Sequence, residues 1–184
     1  MKKRFSIFKT AFALFAVLGL SSCWQGINGD DGEPRQFSAT YRPVYMKAEE
    51  AKSIKMLPAK SLISPGKIYY KDNLIYVGES TTGVHVIDNR DPKNPKNLAF
   101  LNIPGCTDIS IKGNMLYAAN IADLVTIDIS DFNNIKVVGR VENVFPSQNV
   151  PPFMNVRFEC PDASKGIIVG WERITNSENA KCFR

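Results

Sequence analysis

Two aspartate pairs of identical spacing, Asp88/Asp91 and Asp128/Asp131, one histidine and a few cysteines are the residues in this chain with chemistry to offer. Each Asp-x-x-Asp follows an apolar, alternating run. Aspartates in that place accept backbone N–H bonds and set the shape of a turn. Oxygen ligands for Ca²⁺ are the other use, but the spacing lacks the dense ligand series of a calcium loop. A structural turn role is therefore expected for all four, and no metal site is assigned. His85 stands inside an alternating run, where a satisfied or exposed strand histidine is expected rather than a general base. One histidine cannot build a His-rich zinc site. A Ser-His-Asp triad would need a nucleophile, and no G-x-S-x-G elbow supplies it. Gly113 reads as a turn residue rather than part of a phosphate loop. No catalytic residue and no cofactor is assigned. Cys160 and Cys182 would close a loop of about 23 residues, and a disulfide there contributes roughly 3 kcal/mol. Cys106 reads as a buried thiol at a strand edge.

The fourth cysteine has a different setting. The chain opens Met1-Lys-Lys-Arg4, continues with the apolar run Ala11–Leu20 and reaches Leu20-Ser-Ser-Cys23. A basic start, a short apolar stretch and small residues at a cut site form a secretory signal. The run is about 10 residues, half of the roughly 20 that a spanning helix needs. Leu-Ser-Ser-Cys resembles a bacterial lipobox. That resemblance implies cleavage between Ser22 and Cys23 and acyl chains on Cys23 as the membrane anchor. Multiple chains hold far better than one, because each buried CH₂ adds about 0.8 kcal/mol. The same cut changes the electrostatics. Residues 1–22 contain Lys2, Lys3, Arg4 and Lys9 and no acid, so 19 of the 23 basic residues remain beside 18 acids. The net charge of +5 belongs almost wholly to the export signal. No Lys/Arg cluster is left to neutralise a row of phosphates, so nucleic acid is not an expected partner.

These residues must be positioned by the elements between them. Residues 23–40 are rich in Gly, Asn, Asp and Pro and read as a flexible tether. Asp30, Asp31 and Glu33 there loosely resemble the acidic export tags of Bacteroidetes surface lipoproteins; a plain solvated linker is the other reading. Residues 41–64 read as a short helix over Met46–Ile54, stopped by Pro58, and a linker. Residues 65–146 hold two aligned β units. Asn73 and Tyr76 match Asn114 and Tyr117 at an offset of 41, whereas Asp88 and Asp91 match Asp128 and Asp131 at an offset of 40. One residue is therefore missing from the second unit's middle loop, where lengths vary most freely. Each unit supplies about four strands in 40 residues, the arithmetic of a propeller blade. Residues 147–184 read as the end of a proline-rich loop, Val144–Phe153, and a partial third copy at Lys165–Glu172. The expected class is all-β: a partial β-propeller of two to three four-stranded units behind a short helix.

Gly83-Val-His-Val-Ile-Asp-Asn-Arg-Asp-Pro and Asp123-Leu-Val-Thr-Ile-Asp-Ile-Ser-Asp resemble the LVIVD repeats of bacterial envelope propellers, Bacteroidetes lipoproteins among them. The second copy departs from the motif, with Phe132 where the first has Pro92. The resemblance covers roughly residues 41–172. It implies a propeller-type fold in the cell envelope and transfers no catalytic residue. Residues 66–184 allow fewer than three blades, against the four to eight of a closed propeller. A short β domain, a half-propeller that self-associates through open β edges, and a truncated frame are the three readings. Truncation or divergence is favoured. The functional expectation is a lipid-anchored outer-membrane protein, exposed on the surface or facing the periplasm. It would be a non-catalytic binding or scaffold module for a protein or glycan. An enzyme or accessory protein acting on envelope or extracellular polymers, or an inactive truncated product, are the alternatives.

Overall fold

The computed structural model describes residues 36–146, 148–175 and 177–184. The expected signal segment 1–22, with the expected cut between Ser22 and Cys23, and the expected tether as far as residue 35 lie outside them. Residues 37–184 form one compact unit, in which the described residues make thirteen strands in three sheets.

The first sheet is a meander of β3 (Pro65–Lys71), β4 (Leu74–Glu79), β5 (Gly83–Asp88) and β6 (Lys96–Asn102), all antiparallel. A fifth strand, β2 (Lys55–Pro58), adds to its outer edge along β6. The second sheet repeats the meander with β7 (Ile109–Lys112), β8 (Met115–Asn120), β9 (Asp123–Asp128) and β10 (Lys136–Val141). Four strands per unit is what the aligned sequences predict. The tight turns follow from residue types. Asp72 (φ 51°) and Asn73 (φ 63°) take the left-handed values of a two-residue hairpin, and Gly113 (φ 57°) does so in the second unit. The missing residue falls in the β4–β5 hairpin: Ser80-Thr81-Thr82 in the first unit, Ile121-Ala122 in the second.

The two meanders stack face to face. Tyr76, Val84, Val86 and Leu101 of the first pack against Ile109, Leu116, Val125 and Ile127 of the second in one continuous core. Ile103 and Cys106, on the connection between the sheets, are sealed in it. Burial pushes the Cys106 thiol up to about 12. Gly83 is required where β5 meets β6: at φ 149°, a Cβ there would sit 2.1 Å from the Leu101 carbonyl oxygen.

The third sheet corrects the sequence reading in three ways. Its order is β12-β1-β11-β13, made of Ile167–Ile174, Ala39–Met46, Val156–Phe158 and Cys182–Phe183. The end of the expected tether and the start of the expected helix are thus a strand, β1, at the centre of a sheet. It pairs in parallel with β11 and antiparallel with β12. The helix α1 is one turn, Ala48–Ala51, rather than Met46–Ile54. Strand pairing on both flanks, through Met46 and from Lys55, competes successfully with helix propensity. Pro58 does not stop a helix; it closes an edge strand, where its missing N–H costs no ladder bond. The partial third copy is a strand, β12, but its partners come from across the chain rather than from a third meander. Tyr41, Val156 and Phe158 form a small core of their own, with Phe158 set edge-on to Trp171.

Candidate functional site

The four aspartates act alike in the two units. Asp88 accepts the Arg90 N–H (3.0 Å) and Asp128 the Ser130 N–H (2.9 Å). Asp91 accepts the Lys93 N–H (3.1 Å) and Asp131 the Asn133 N–H (2.9 Å). These are turn-forming bonds from a side chain to the N–H two residues on. The Arg90 guanidinium also grips Asp88 and holds its carboxyl down to about 2. The pairs serve different turns, and among the described residues no group of three or more acidic, Cys or His side chains converges as a metal site would need.

His85 is fully buried on the outer face of the first sheet. Its Nε2 donates to Glu79 Oε2 at 3.0 Å, and its ring stands 4.9 Å from Phe100. Lys60 caps that phenyl ring from outside at 3.7 Å. Glu79 also accepts the backbone N–H groups of Ile63 (3.1 Å) and Ser64 (2.5 Å). Burial opposes its ionisation, yet these three donors prevail and hold the carboxyl below its ordinary range. The pair is sealed from solvent, and its evident work is to fasten the segment that enters β3.

The matching hairpin tip of the second unit carries a different polar cluster. Asn120 is buried, and its Nδ2 donates to the carbonyls of Ala51 (2.9 Å) and Pro104 (2.7 Å). Arg140 Nη1 donates to Asn120 Oδ1 (2.8 Å) and to Asp123 Oδ2 (2.6 Å). Asp123 further accepts the Asn143 N–H at 3.1 Å. Desolvation disfavours the Asp123 carboxylate, but Arg140 and Asn143 outweigh it and lower its titration. Sequence reading passes over Glu79, Asn120, Asp123 and Arg140. The signal that exists is positional: Glu79 and Asn120 are polar residues at equivalent ends of apolar strands.

This second cluster forms the floor of a cleft of about 510 Å³ between the β8–β9 hairpin and the third sheet. That volume is in the range of small-ligand sites. Ile121 and Ala122 of the hairpin and Ile167 and Ile168 of β12 give it apolar surface. Asn143, Gln148 and Asn149 line it with amides, and Tyr45 and Asp162 close the side toward β1. Its charges have counter-ions: Lys52 meets Glu142 at 2.8 Å, Asp123 meets Arg140, and Asp162 has Lys165 at 3.9 Å. Ile121 holds φ 62°, unusual for a β-branched residue, and its side chain lies over Gly105, where a Cβ would come within 2.7 Å. The Gln148 backbone carbonyl accepts Trp171 Nε1–H at 3.0 Å, tying the proline-rich segment to β12.

Cys160 and Cys182 are bonded, with Cα atoms 5.2 Å apart, and fasten β13 to the segment after β11. Cys106 is a free, buried thiol. The fold and cleft define a mostly β protein of three sheets with a cleft lined by apolar, amide and ion-paired side chains. No protein-family model, curated protein or solved structure matches the chain.

Proposed function

We propose that this chain is a lipid-anchored cell-envelope protein whose folded part is a non-catalytic binding module of partial-propeller type. The two stacked meanders are its blades, and the third sheet closes one end of the cleft. The observation that carries the binding role is the cleft's chemistry. Its charged groups each have a counter-ion, Lys52 with Glu142, Asp123 with Arg140 and Asp162 with Lys165, and the amides of Asn143 and Asn149 stand beside apolar side chains. Such a surface recognises a neutral polar ligand, a glycan or a protein segment, by hydrogen bonding and shape. The lipobox-like Leu20-Ser-Ser-Cys23 supports the anchor, and the LVIVD-like segments support the envelope setting.

The test has two parts. Cys23→Ser should move the protein from the detergent-extracted membrane fraction to the soluble fraction; unchanged membrane retention would refute the acyl anchor. A photo-crosslinking residue at Asn143, in the cleft, should capture a discrete glycan or protein species from solubilised membranes. The same residue at Lys93, in an exposed turn remote from the cleft, should not. Identical capture profiles at both positions would remove the cleft from the proposal.

A further inference from the structure

The two units bury equivalent surfaces to very different extents. In the second, the face of Ile109, Ile111 and Leu116 and the entering segment Ile103–Cys106 lie against the first sheet. In the first, the corresponding face carries Ile68, Tyr70 and Ile75 behind the segment Leu62–Ser64. Ile68 is 64% exposed, Tyr70 61% and Ile63 84%. The residues are as apolar as their counterparts, but among the described residues no sheet covers them.

The surface that covers the second unit is the inner face of the first: Leu74, Tyr76, Val84 and Val86. At the repeat offsets of 41 and 40, the same positions in the second sheet are Met115, Tyr117, Leu124 and Thr126. Cross-strand register puts Val141 beside Leu124 on that face. All four of those residues are only partly buried, and Val141 is 59% exposed. One chain therefore contains a two-sided interface made once; of the equivalent faces, the first sheet leaves open the β3 part at Ile68 and Tyr70, while Val77, His85 and Phe100 beside it are buried, and the second leaves Val141 open.

We infer that copies of this chain associate head to tail, the outer face of the second sheet of one copy stacking on the outer face of the first sheet of the next. The contact continues the sheet-on-sheet interface already present within the chain. It uses sheet faces rather than the open β edges. Such an interface is heterologous, so it closes into a ring or grows as a short stack according to its rotation. None of Ile68, Tyr70 and Val141 lines the cleft.

The experiment is sedimentation velocity of the full chain in detergent over a concentration series. Wild type should show species larger than a monomer that grow with concentration. Ile68→Glu/Tyr70→Glu, which spoils one face, and Val141→Glu, which spoils the other, should each weaken self-association by about tenfold or more. Mixed together, the two variants should form a dimer and nothing larger, because one intact face of each kind remains. All three positions are exposed, so folding should survive; a circular dichroism spectrum checks it. On the wild type itself, isotope-mixed lysine crosslinking should join Lys60 of one copy to Lys136 of another. A monomeric wild type, variants that associate as wild type does, or a mixture that stays monomeric would each overturn the inference.

Discussion

The two meanders solve the same problem at the same place with different chemistry. At the tip of each β4–β5-type hairpin a buried polar group fastens the backbone that enters the sheet. In the first unit Glu79 does this with a carboxylate, holding Ile63 and Ser64 and leaning on His85. In the second Asn120 does it with an amide, backed by the Arg140–Asp123 pair. The Asp-x-x-Asp turns, by contrast, are built alike in both. The difference follows burial. The segment fastened by Glu79 is open to water, whereas the one fastened by Asn120 is enclosed between two sheets. An amide meets enclosed carbonyls without bringing a second net charge into that core, and the one carboxylate nearby has its own guanidinium.

The largest effect should come from breaking the enclosed cluster. Arg140→Met removes the cation bonded to Asp123 and the donor to the Asn120 carbonyl, leaving Asp123 the Asn143 N–H, and should cost about 3–5 kcal/mol in chemical denaturation. A loss under about 1 kcal/mol would mean that water already replaces the guanidinium. Next, Cys160→Ser with Cys182→Ser should cost about 3 kcal/mol. The loss of hydrogen-exchange protection should fall on β11 and β13, sparing the two meanders, because the third sheet has a core of its own. Equal loss across all three sheets would show that they unfold as one.

Glu79→Ala should cost less than Arg140→Met, about 2 kcal/mol, since water can reach the released Ile63 and Ser64 N–H groups. A cost equal to that of Arg140→Met would contradict the role assigned to exposure. The same variant sharpens the pH dependence. The Glu79 carboxyl titrates below its ordinary 4.5 in the folded state. Its contribution is therefore complete above that value and fades as the pH falls through the lowered one. Glu79→Ala should flatten the acid limb of the stability curve, as measured by urea midpoints between neutral pH and pH about 3. The smallest effects should come from the turn aspartates. Asp91→Ala removes the bonds from the Lys93 N–H and the Asn94 side chain, and Asp131→Ala removes the bond from the Asn133 N–H, so both should lower Tm slightly, Asp91→Ala the more. A larger loss from Asp131→Ala would show that the two turns are not loaded alike.

Much of the repeat was legible in the residues. Alternating β-branched runs, Asp72-Asn73 and Gly113-Asn114 at the hairpins, and the two Asp-x-x-Asp turns mark eight strands, because each of these signals acts over a few neighbouring positions. The one-residue difference between the units was legible too, and it lies in the β4–β5-type hairpin. The polar clusters were not. Asn120 works with Ala51, Pro104 and Arg140, and no local pattern reports partners that far apart in the chain. The Ala39–Met46 strand was hidden for a related reason. Its helix-friendly continuation Ala48–Lys52 masks a β segment whose partners, β11 and β12, lie more than a hundred residues away.

By itself, then, the sequence determined the repeat, its turns, the apolar faces and the near-neutral charge of residues 23–184, all properties of composition and short-range spacing. Only the tertiary structure decided which apolar face is covered and which stays open, which polar side chains are enclosed, and where the third sheet draws its strands. Those outcomes depend on what distant segments bring into contact, and burial, which gives a buried carboxylate or amide its energetic weight, exists only once the chain has folded.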